Sequence, residues 1–529
     1  MPQQRPRRKR AFAKRSRTGC RTCRVRHLKC DETPGGCRNC SSNGWTCDGY
    51  EVNRLPRPRE AARSQIQTQT GLQHASIDCG FRWAMTSDEK RCVSFFLHRT
   101  IPSLTSYYDS SLWQKLVLQM CYNEPAVYHA VAALSAVNQD LELNGIPMPG
   151  SDLGGTWHGF ALEQCARSFG LLSRRQIVQD PQLREVLLVC CLLFVLLELV
   201  CGRFDDATAH LQSGLAILEE MRTQRLLQGL PLVPVEETLL EAFLHLESQA
   251  MHHGMVASTL QLETYGQHYG EESHDFRYLR DVQQVLNPLT DVGFSFLARC
   301  WSTPDIELLD NYVEFHMEQD RILSTLSQFS VEFTRFRGQS FHQQTEKERR
   351  GLDTAYLIYL NMNLACKTAL CSKSCPLPLS FVPEYEQLLS VALVTMGHLD
   401  ERPIMTIDSA ICPALFTVAA RCPDYSLRWR AIEGLQAWPH CEGYLNSMLT
   451  AAVVTEQMKR EMRCLWTEIQ INNALPPPGL SFEVRDGQAQ VCIGGKWLSL
   501  EPDQALVNSL GSVSSAKSWA CVKASGILC

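Results

Sequence analysis

The sequence lacks the usual footholds of catalysis. Among its 529 residues there is no glycine-rich phosphate loop, no nucleophile elbow and no HExxH pair. His98 and the His252-His253 pair stand amid helical sequence with no partner ligands in pattern, and Cys366, Cys371 and Cys375 form a C-x4-C-x3-C run without a nearby histidine, a poor zinc pattern. No enzymatic activity is expected. Long apolar runs are scarce as well. The longest, Val186–Leu197 (VLLVCCLLFVLL), is bracketed by Arg184-Glu185 and Glu198, and a membrane span needs about 20 such residues. It reads as a core helix, and no membrane association is expected. The opening stretch MPQQRPRRKRAFAKRSR has no apolar h-region. From Asp48 to Met85 there is no heptad: Leu55, Ile66, Leu72 and Ile77 fall on no common seven-residue grid, which excludes a coiled-coil dimer there.

Cysteine, by contrast, is plentiful, 24 in all. Six lie in CRTCRVRHLKCDETPGGCRNCSSNGWTC, at Cys20, Cys23, Cys30, Cys37, Cys40 and Cys47, and the spacing of the second three repeats that of the first. Pro34, Gly35 and Gly36 form a turn between the halves that folds one onto the other. Two C-x2-C pairs this close are a metal signal, because the spacing lets thiolates converge on one soft cation. Two separate four-coordinate zincs would need more thiolates than six. If two of them bridge both ions, six suffice, and the repeat points to the first of each half, Cys20 and Cys37. A disulfide knot is the alternative, and it requires an oxidising compartment. The other cysteines, such as Cys190, Cys191 and Cys201, sit among apolar residues and read as small hydrophobes of a reducing compartment.

Charge is distributed unevenly. Residues 1–50 carry 13 Lys+Arg against 3 Asp+Glu, whereas the rest carries 38 against 53. A short basic end on a long acidic body is the footprint of a polyanion-binding head. The basic residues of RPRRKRAFAKRSR, namely Arg5, Arg7, Arg8, Lys9, Arg10, Lys14, Arg15 and Arg17, form a run suited to nuclear import or to phosphate contacts. Between Cys23 and Cys30, Arg24, Arg26, His27 and Lys29 occupy a stretch fit for one or two helical turns. Pinned by ligands at both ends, that stretch would project its cations outward, toward guanine O6 and N7 in a major groove. Arg21 and Arg38, each following a ligand cysteine, are expected to touch phosphates, which adds affinity without sequence choice.

The cysteine stretch resembles the DNA-binding domain of fungal binuclear zinc-cluster transcription factors. The resemblance implies two Zn2+ ions in one cluster, with Cys20, Cys23, Cys30 and Cys37 on one and Cys20, Cys37, Cys40 and Cys47 on the other. It further implies a base-reading helix ahead of the third cysteine and a CGG-like target triplet. His27 stands where the family commonly has a base-contacting lysine, and a neutral imidazole is a shorter, weaker donor. Residues 95–139 resemble the opening of the fungal-specific regulatory domain, and GRFDDATAHLQSGLAILEE, residues 202–220, resembles its middle region; this looser likeness runs over about residues 90–470.

The residues of that region agree in kind. Trp113, Leu116, Val117 and Met120 follow helical spacing, as do Val127, Ala130, Val131 and Leu134, and Ala207, Leu211, Gly214, Leu215 and Leu218. Asn123 is expected to cap the second of these helices, with Pro125 in its first turn. Asp305–Asp320, DIELLDNYVEFHMEQD, mixes acids with apolar residues and is expected to be an amphipathic helix packed into the body. After Pro476-Pro477-Pro478, the runs FEVR, QAQVCI and KWLSLE, separated by Asp486-Gly487 and Gly494-Gly495, predict a three-stranded meander.

The expected fold is therefore mostly α: a basic arm (1–18), a binuclear zinc cluster (19–50), a linker (51–85), a large all-α regulatory domain (86–475) and a C-terminal extension (476–529) with a small β meander. The expected function is that of a nuclear, zinc-dependent, sequence-specific regulator of RNA polymerase II transcription. It would bind double-stranded DNA and contact the transcription machinery or co-regulators. It would bind as a monomer or dimerise through the helical domain, and the family precedent is activation of metabolic or secondary-metabolite genes. The competing reading is a zinc-structured module that binds RNA or protein without reading duplex sequence.

Overall fold

The computed structural model describes residues 18–33, 37–45, 47, 55, 83, 85–148, 154–175, 180, 182–229, 233–252, 276–340, 344–372, 376–399, 401–472, 475–477, 479–485 and 488–502. The basic arm, the 34–36 turn, nearly all of the linker, His253, Cys375, Asp486-Gly487 and the final stretch lie outside the described residues.

The N-terminal head has two five-residue helices, α1 (Arg21–Val25) and α2 (Arg38–Ser42), one in each half of the cysteine repeat. The body begins at α3 (Ser87–Phe95), whose start is fixed by a capping box: the Thr86 hydroxyl accepts from Glu89 N–H at 3.3 Å, and Thr86 N–H donates to the Glu89 carboxylate at 2.9 Å. A π turn (Phe96–Thr100) leads to α4 (Ile101–Leu104), and a second (Leu112–Leu116) to α5 (Val117–Asn123). Then come α6 (Pro125–Asn144), α7 (Thr156–Leu172), α8 (Leu183–Val200), α9 (Phe204–Gln228) and α10 (Pro234–His252).

The apolar run Val186–Leu197 lies in α8 with nearly every side chain buried. An apolar helix without a polar face has to be surrounded by protein, and α6, α7, α9 and α10 surround it. No helix among the described residues is long and apolar enough to cross a membrane. The stripe Ala207, Leu211, Gly214, Leu215 and Leu218 is buried along α9. Pro125 is the first residue of α6, as expected, but Asn123 is not its cap: it closes α5, where its Nδ2 donates to Gln119 O at 2.9 Å. That local back-bond satisfies the amide and leaves Glu124 at the cap position, where its carboxylate makes no capping bond and instead accepts from Arg175 at 2.7 Å.

A second, aromatic core joins α11 (Leu279–Ser302), α12 (Asp305–Asp310), α13 (Tyr312–Ser340) and α14 (Glu346–Lys367), with Phe329 stacked on Phe333 at 5.5 Å. Here the expectation for Asp305–Asp320 needs correction. The segment breaks at Asn311, and it packs through Leu308, through Gln319, whose Nε2 donates to Cys366 O at 2.7 Å, and, partly, through Phe315; Ile306, Leu309, Val313 and Met317 are exposed. The break puts Leu308 and Phe315 on separate helices that each turn one of these side chains to the aromatic core, so the apolar residues on their other faces have no protein to meet.

A third core joins α15 (Val382–Gly397), α16 (Ile411–Arg421), α17 (Tyr425–Ala437) and α18 (Ser447–Asn472). Between it and the first core lies a small sheet absent from the sequence expectation: β1 (Met405–Thr406) runs parallel to β2 (Cys441–Glu442), which pairs antiparallel with β3 (Leu445–Asn446), with Met405 and Cys441 buried in the first core and Leu445 against the third. Two-residue strands are too short to show alternation. The expected meander is present as β4 (Leu480–Arg485), β5 (Gln488–Ile493) and β6 (Lys496–Ser499). It buries Leu480, Val491 and Ile493 in the third core and stacks Phe482 on Trp466 of α18 at 5.7 Å.

Candidate metal centre and nucleic-acid interface

The cysteine repeat is also a structural repeat. Cys20 N–H donates to Cys30 Sγ at 3.2 Å, and Cys37 N–H donates to Cys47 Sγ at 3.2 Å. Leu28 N–H closes on Cys23 O at 2.9 Å, and Trp45 N–H on Cys40 O at 2.9 Å. Each half is thus a short helix that begins just after its first cysteine and then turns back so that its third cysteine meets the first. The reversal requires positive φ at the same place in each half, +56° at His27 and +70° at Gly44. Histidine is among the few non-glycine residues that enter the left-handed region with some frequency.

The two C-x2-C pairs converge. Cys20, Cys23, Cys37 and Cys40 place their sulfurs within 4.8 Å of one another, all four buried. The Cys23–Cys37 distance is 3.5 Å, and Cys20–Cys40 and Cys23–Cys40 are 3.7 Å. With Zn–S near 2.3 Å, a tetrahedral zinc sets sulfurs about 3.8 Å apart, so the donor set fits a zinc-sized soft cation. Cys30 lies close to Cys37, with Asp31 beside them. Cys47 is partly buried and packs against the other five.

Crowding thiols with no cation among them is electrostatically unfavourable. Burial pushes the Cys23 thiol up to about 12, and Cys37 adds to the shift. Cys20 is raised further, again chiefly by burial. Cys30 moves the other way: burial opposes its ionisation, but the N–H groups of Cys20 and Glu32 outweigh it and bring the thiol down to about 7. A bound divalent cation relieves such crowding by stabilising thiolates, and its binding then contributes to the folding of the head.

The predicted DNA-contacting residues are placed as follows. Arg21 and Arg24 lie in α1, Arg26 caps its C-terminus, and His27, Lys29 and Arg38 are exposed. Helix α1 therefore ends before His27, earlier than a helix filling the gap between Cys23 and Cys30 would. Arg26 is only half-exposed: its guanidinium lies over the Trp45 ring, 4.2 Å from the centroid. Sequence reasoning missed Trp45, although the repeat marks it as the counterpart of Leu28. It missed Asn39 too, whose Nδ2 donates to Lys29 O at 2.9 Å and approaches Cys23 Sγ at 3.7 Å, tying α2 to the end of the first half.

Residues 18–56 match the fungal Zn(2)-Cys(6) binuclear cluster domain, and residues 91–289 match the fungal specific transcription factor domain. The chain belongs to the fungal zinc-cluster transcriptional regulators. Among curated relatives of this zinc-cluster chain, the aspercryptin biosynthesis cluster-specific transcription regulator atnN of Emericella nidulans is 28% identical over 232 residues, 40% of this chain and 36% of that protein. Transcription regulator lscL of Purpureocillium lilacinum is 25% identical over 237 residues, 42% of this chain and 54% of that protein. An uncharacterized transcriptional regulatory protein of Schizosaccharomyces pombe is 48% identical over 146 residues, 25% of this chain and 26% of that protein. The matched stretches thus span about a quarter to about half of these relatives' lengths. No solved structure matches the chain.

A second group with ligand chemistry lies in the body of this zinc-cluster regulator. Cys412, His440 and Glu442 are buried and bring one ligand atom each within 4.8 Å. Their atoms are already engaged: His440 Nε2 meets Glu442 Oε1 at 3.0 Å, His440 Nδ1 meets Trp438 O at 2.7 Å, and Glu442 Oε2 accepts from Ala410 and Cys412 N–H at 2.8 and 3.0 Å. The group works as a structural knot that caps α16.

Proposed function

We propose that this regulator binds duplex DNA through a head in which six cysteines hold two Zn2+ ions, with Cys20 and Cys37 bridging both. The observation that carries the reading is the matched geometry of the two halves, with each first cysteine folded against its own third and the two C-x2-C pairs converging. In this reading Cys23 and Cys30 complete one ion's shell, and Cys40 and Cys47 the other's. The rigid head presents Arg24, His27 and Lys29 to base edges of a CGG-like triplet, and Arg21 and Arg38 to phosphates. Arg26 acts from its place on Trp45. The basic residues of the arm serve nuclear import and add salt-dependent affinity. The helical body contacts the transcription machinery, and the similarity to an aspercryptin biosynthesis cluster-specific regulator fits an activator of a metabolite gene cluster.

The test is zinc stoichiometry by native mass spectrometry on the full chain, paired with a gel shift. Two zincs are expected per chain, and Cys37→Ala is expected to lose both and the specific shift, because it removes a ligand common to them. Two zincs and an unchanged shift in that variant would contradict the bridging assignment.

A further inference from the structure

Where the three cores of the body meet, they leave a cavity of about 960 Å³. Its walls come from α10 (His245), α11 (Asp291), α14 (Asn361, Ala365) and α16 (Phe416, Thr417), so it touches each core and belongs to none. A hole of this size is at the upper end of the range for sites that enclose a drug-sized molecule, far larger than the voids packing leaves by default. Its lining is largely apolar side chain, with Met362 among them, a residue that reshapes readily around a ligand.

Several polar atoms of the lining residues are buried without a hydrogen bond among the described residues, Gln249 Oε1, Asn361 Oδ1 and Ser409 Oγ among them. Asn361 is 9% exposed, and its Oδ1 is buried with no hydrogen bond among the described residues; Ser409 Oγ is buried and likewise unbonded. An amide oxygen in that position costs about 1–3 kcal/mol if left unsatisfied. It can only accept, so what satisfies it must carry an N–H or O–H donor. The ionisable groups of the lining are mixed in sign: four carboxylates, Asp291 and Asp408 among them, are set against three arginines and His245. His245 Nε2 lies 3.6 Å from Asp408 Oδ1, a pair that answers its own charge when the imidazole is protonated. Nothing in this balance selects a net charge.

We propose that this cavity is an effector site that takes a neutral, largely apolar small molecule, oriented by an N–H or O–H donor on Asn361 Oδ1. An occupant would touch all three cores at once and add contacts to each, so binding would stiffen the whole body rather than one helix pair. This site is separate from the zinc head, and its test does not depend on DNA binding.

N-phenyl-1-naphthylamine has the required chemistry, an apolar body with a single N–H, and its fluorescence rises in an apolar environment. Titrated into the zinc-loaded full chain, it is expected to bind saturably at one site per chain and to raise Tm by mass action. Asn361→Leu should weaken that binding by about 2- to 10-fold, the value of one hydrogen bond. Ala365→Trp should weaken it at least tenfold by filling the space. Should A365W fail to fold, judged by circular dichroism, Thr417→Trp repeats the test from another wall. A wild-type signal that never saturates, or unchanged affinity in N361L or in a folded cavity-filling variant, would overturn the assignment.

Discussion

The guanidinium of Arg26 rests over the indole of Trp45, joining the end of the first half of the cysteine repeat to the end of the second. The contact spans the two structural halves and takes a cation that sequence alone would have given to a base edge. A cation–π pair at an exposed site is worth about 0.5–1 kcal/mol, enough to hold one orientation of the arginine and too little to hold the head together, which is the task of metal ligation.

From this contact it follows that Trp45 and Arg26 act as a unit in DNA binding. Trp45→Ala should weaken affinity for duplex DNA by about 2- to 5-fold, and it should cost nothing more in an Arg26→Ala background. A double-mutant cycle on gel-shift affinities checks this; additive losses would mean that the stack does not orient the arginine.

The knot at His440 and Glu442 sets a prediction for the body. The Glu442 carboxylate is fully buried, and it accepts two backbone N–H bonds at the start of α16 as well as the bond from His440. Trp438 stacks face to face on the His440 ring at 3.6 Å. Glu442→Ala leaves those donors without an acceptor and should cost about 3–5 kcal/mol in urea unfolding. Glu442→Gln, which can still accept from the two N–H groups, should cost less. Equal losses in the two variants would indicate that the capping bonds carry little of the effect.

Gly214 marks the closest approach of α9 and α10. A Cβ placed there would lie 2.0 Å from the Phe243 ring. Gly214→Ala should therefore destabilise the body by about 1–3 kcal/mol through overpacking, although alanine is the better helix former. Adding Phe243→Leu should recover part of the loss, and denaturant midpoints of the three chains decide the matter.

His210 supplies the pH dependence. It lies beside the stacked Phe169 and Phe194, 5.4 Å from the latter's centroid, and burial lowers its pKa from the ordinary 6.5, with Asp206 opposing. The folded state thus binds its proton less readily than the unfolded state. The stability associated with neutral His210 is complete above 6.5 and is lost as pH falls through the depressed folded value. His210→Phe should flatten the slope of Tm against pH just below 6.5; an unchanged slope would assign it to other groups.

The cysteine spacing made the head legible, because a metal constrains which residues must meet whatever surrounds them. The same was true of α8, where the apolar run is unbroken, of α9, where the apolar stripe is regular, and of the meander, where Asp486-Gly487 and Gly494-Gly495 punctuate the strand sequences. Other features have no one-dimensional signature. The Arg26–Trp45 stack is a tertiary contact between residues that no period relates. Strands β1 to β3 are two residues each, shorter than any alternation. Asn123 is a competent cap by residue type, but its own back-bond to Gln119 prevailed. In Asp305–Asp320 the composition marked helix but could tell neither the break at Asn311 nor which apolar residues would find the body. The cavity was invisible for a related reason: it is made by what helices of all three cores leave unfilled.

The most direct test of the central reading is selection of binding sites from random duplex DNA by the zinc-loaded full chain, with and without a chelator. The account predicts enrichment of a motif containing a CGG-like triplet, abolished when zinc is removed. Failure to enrich any duplex while two zincs remain bound would contradict it, and would direct attention to RNA or protein as the partner of the head.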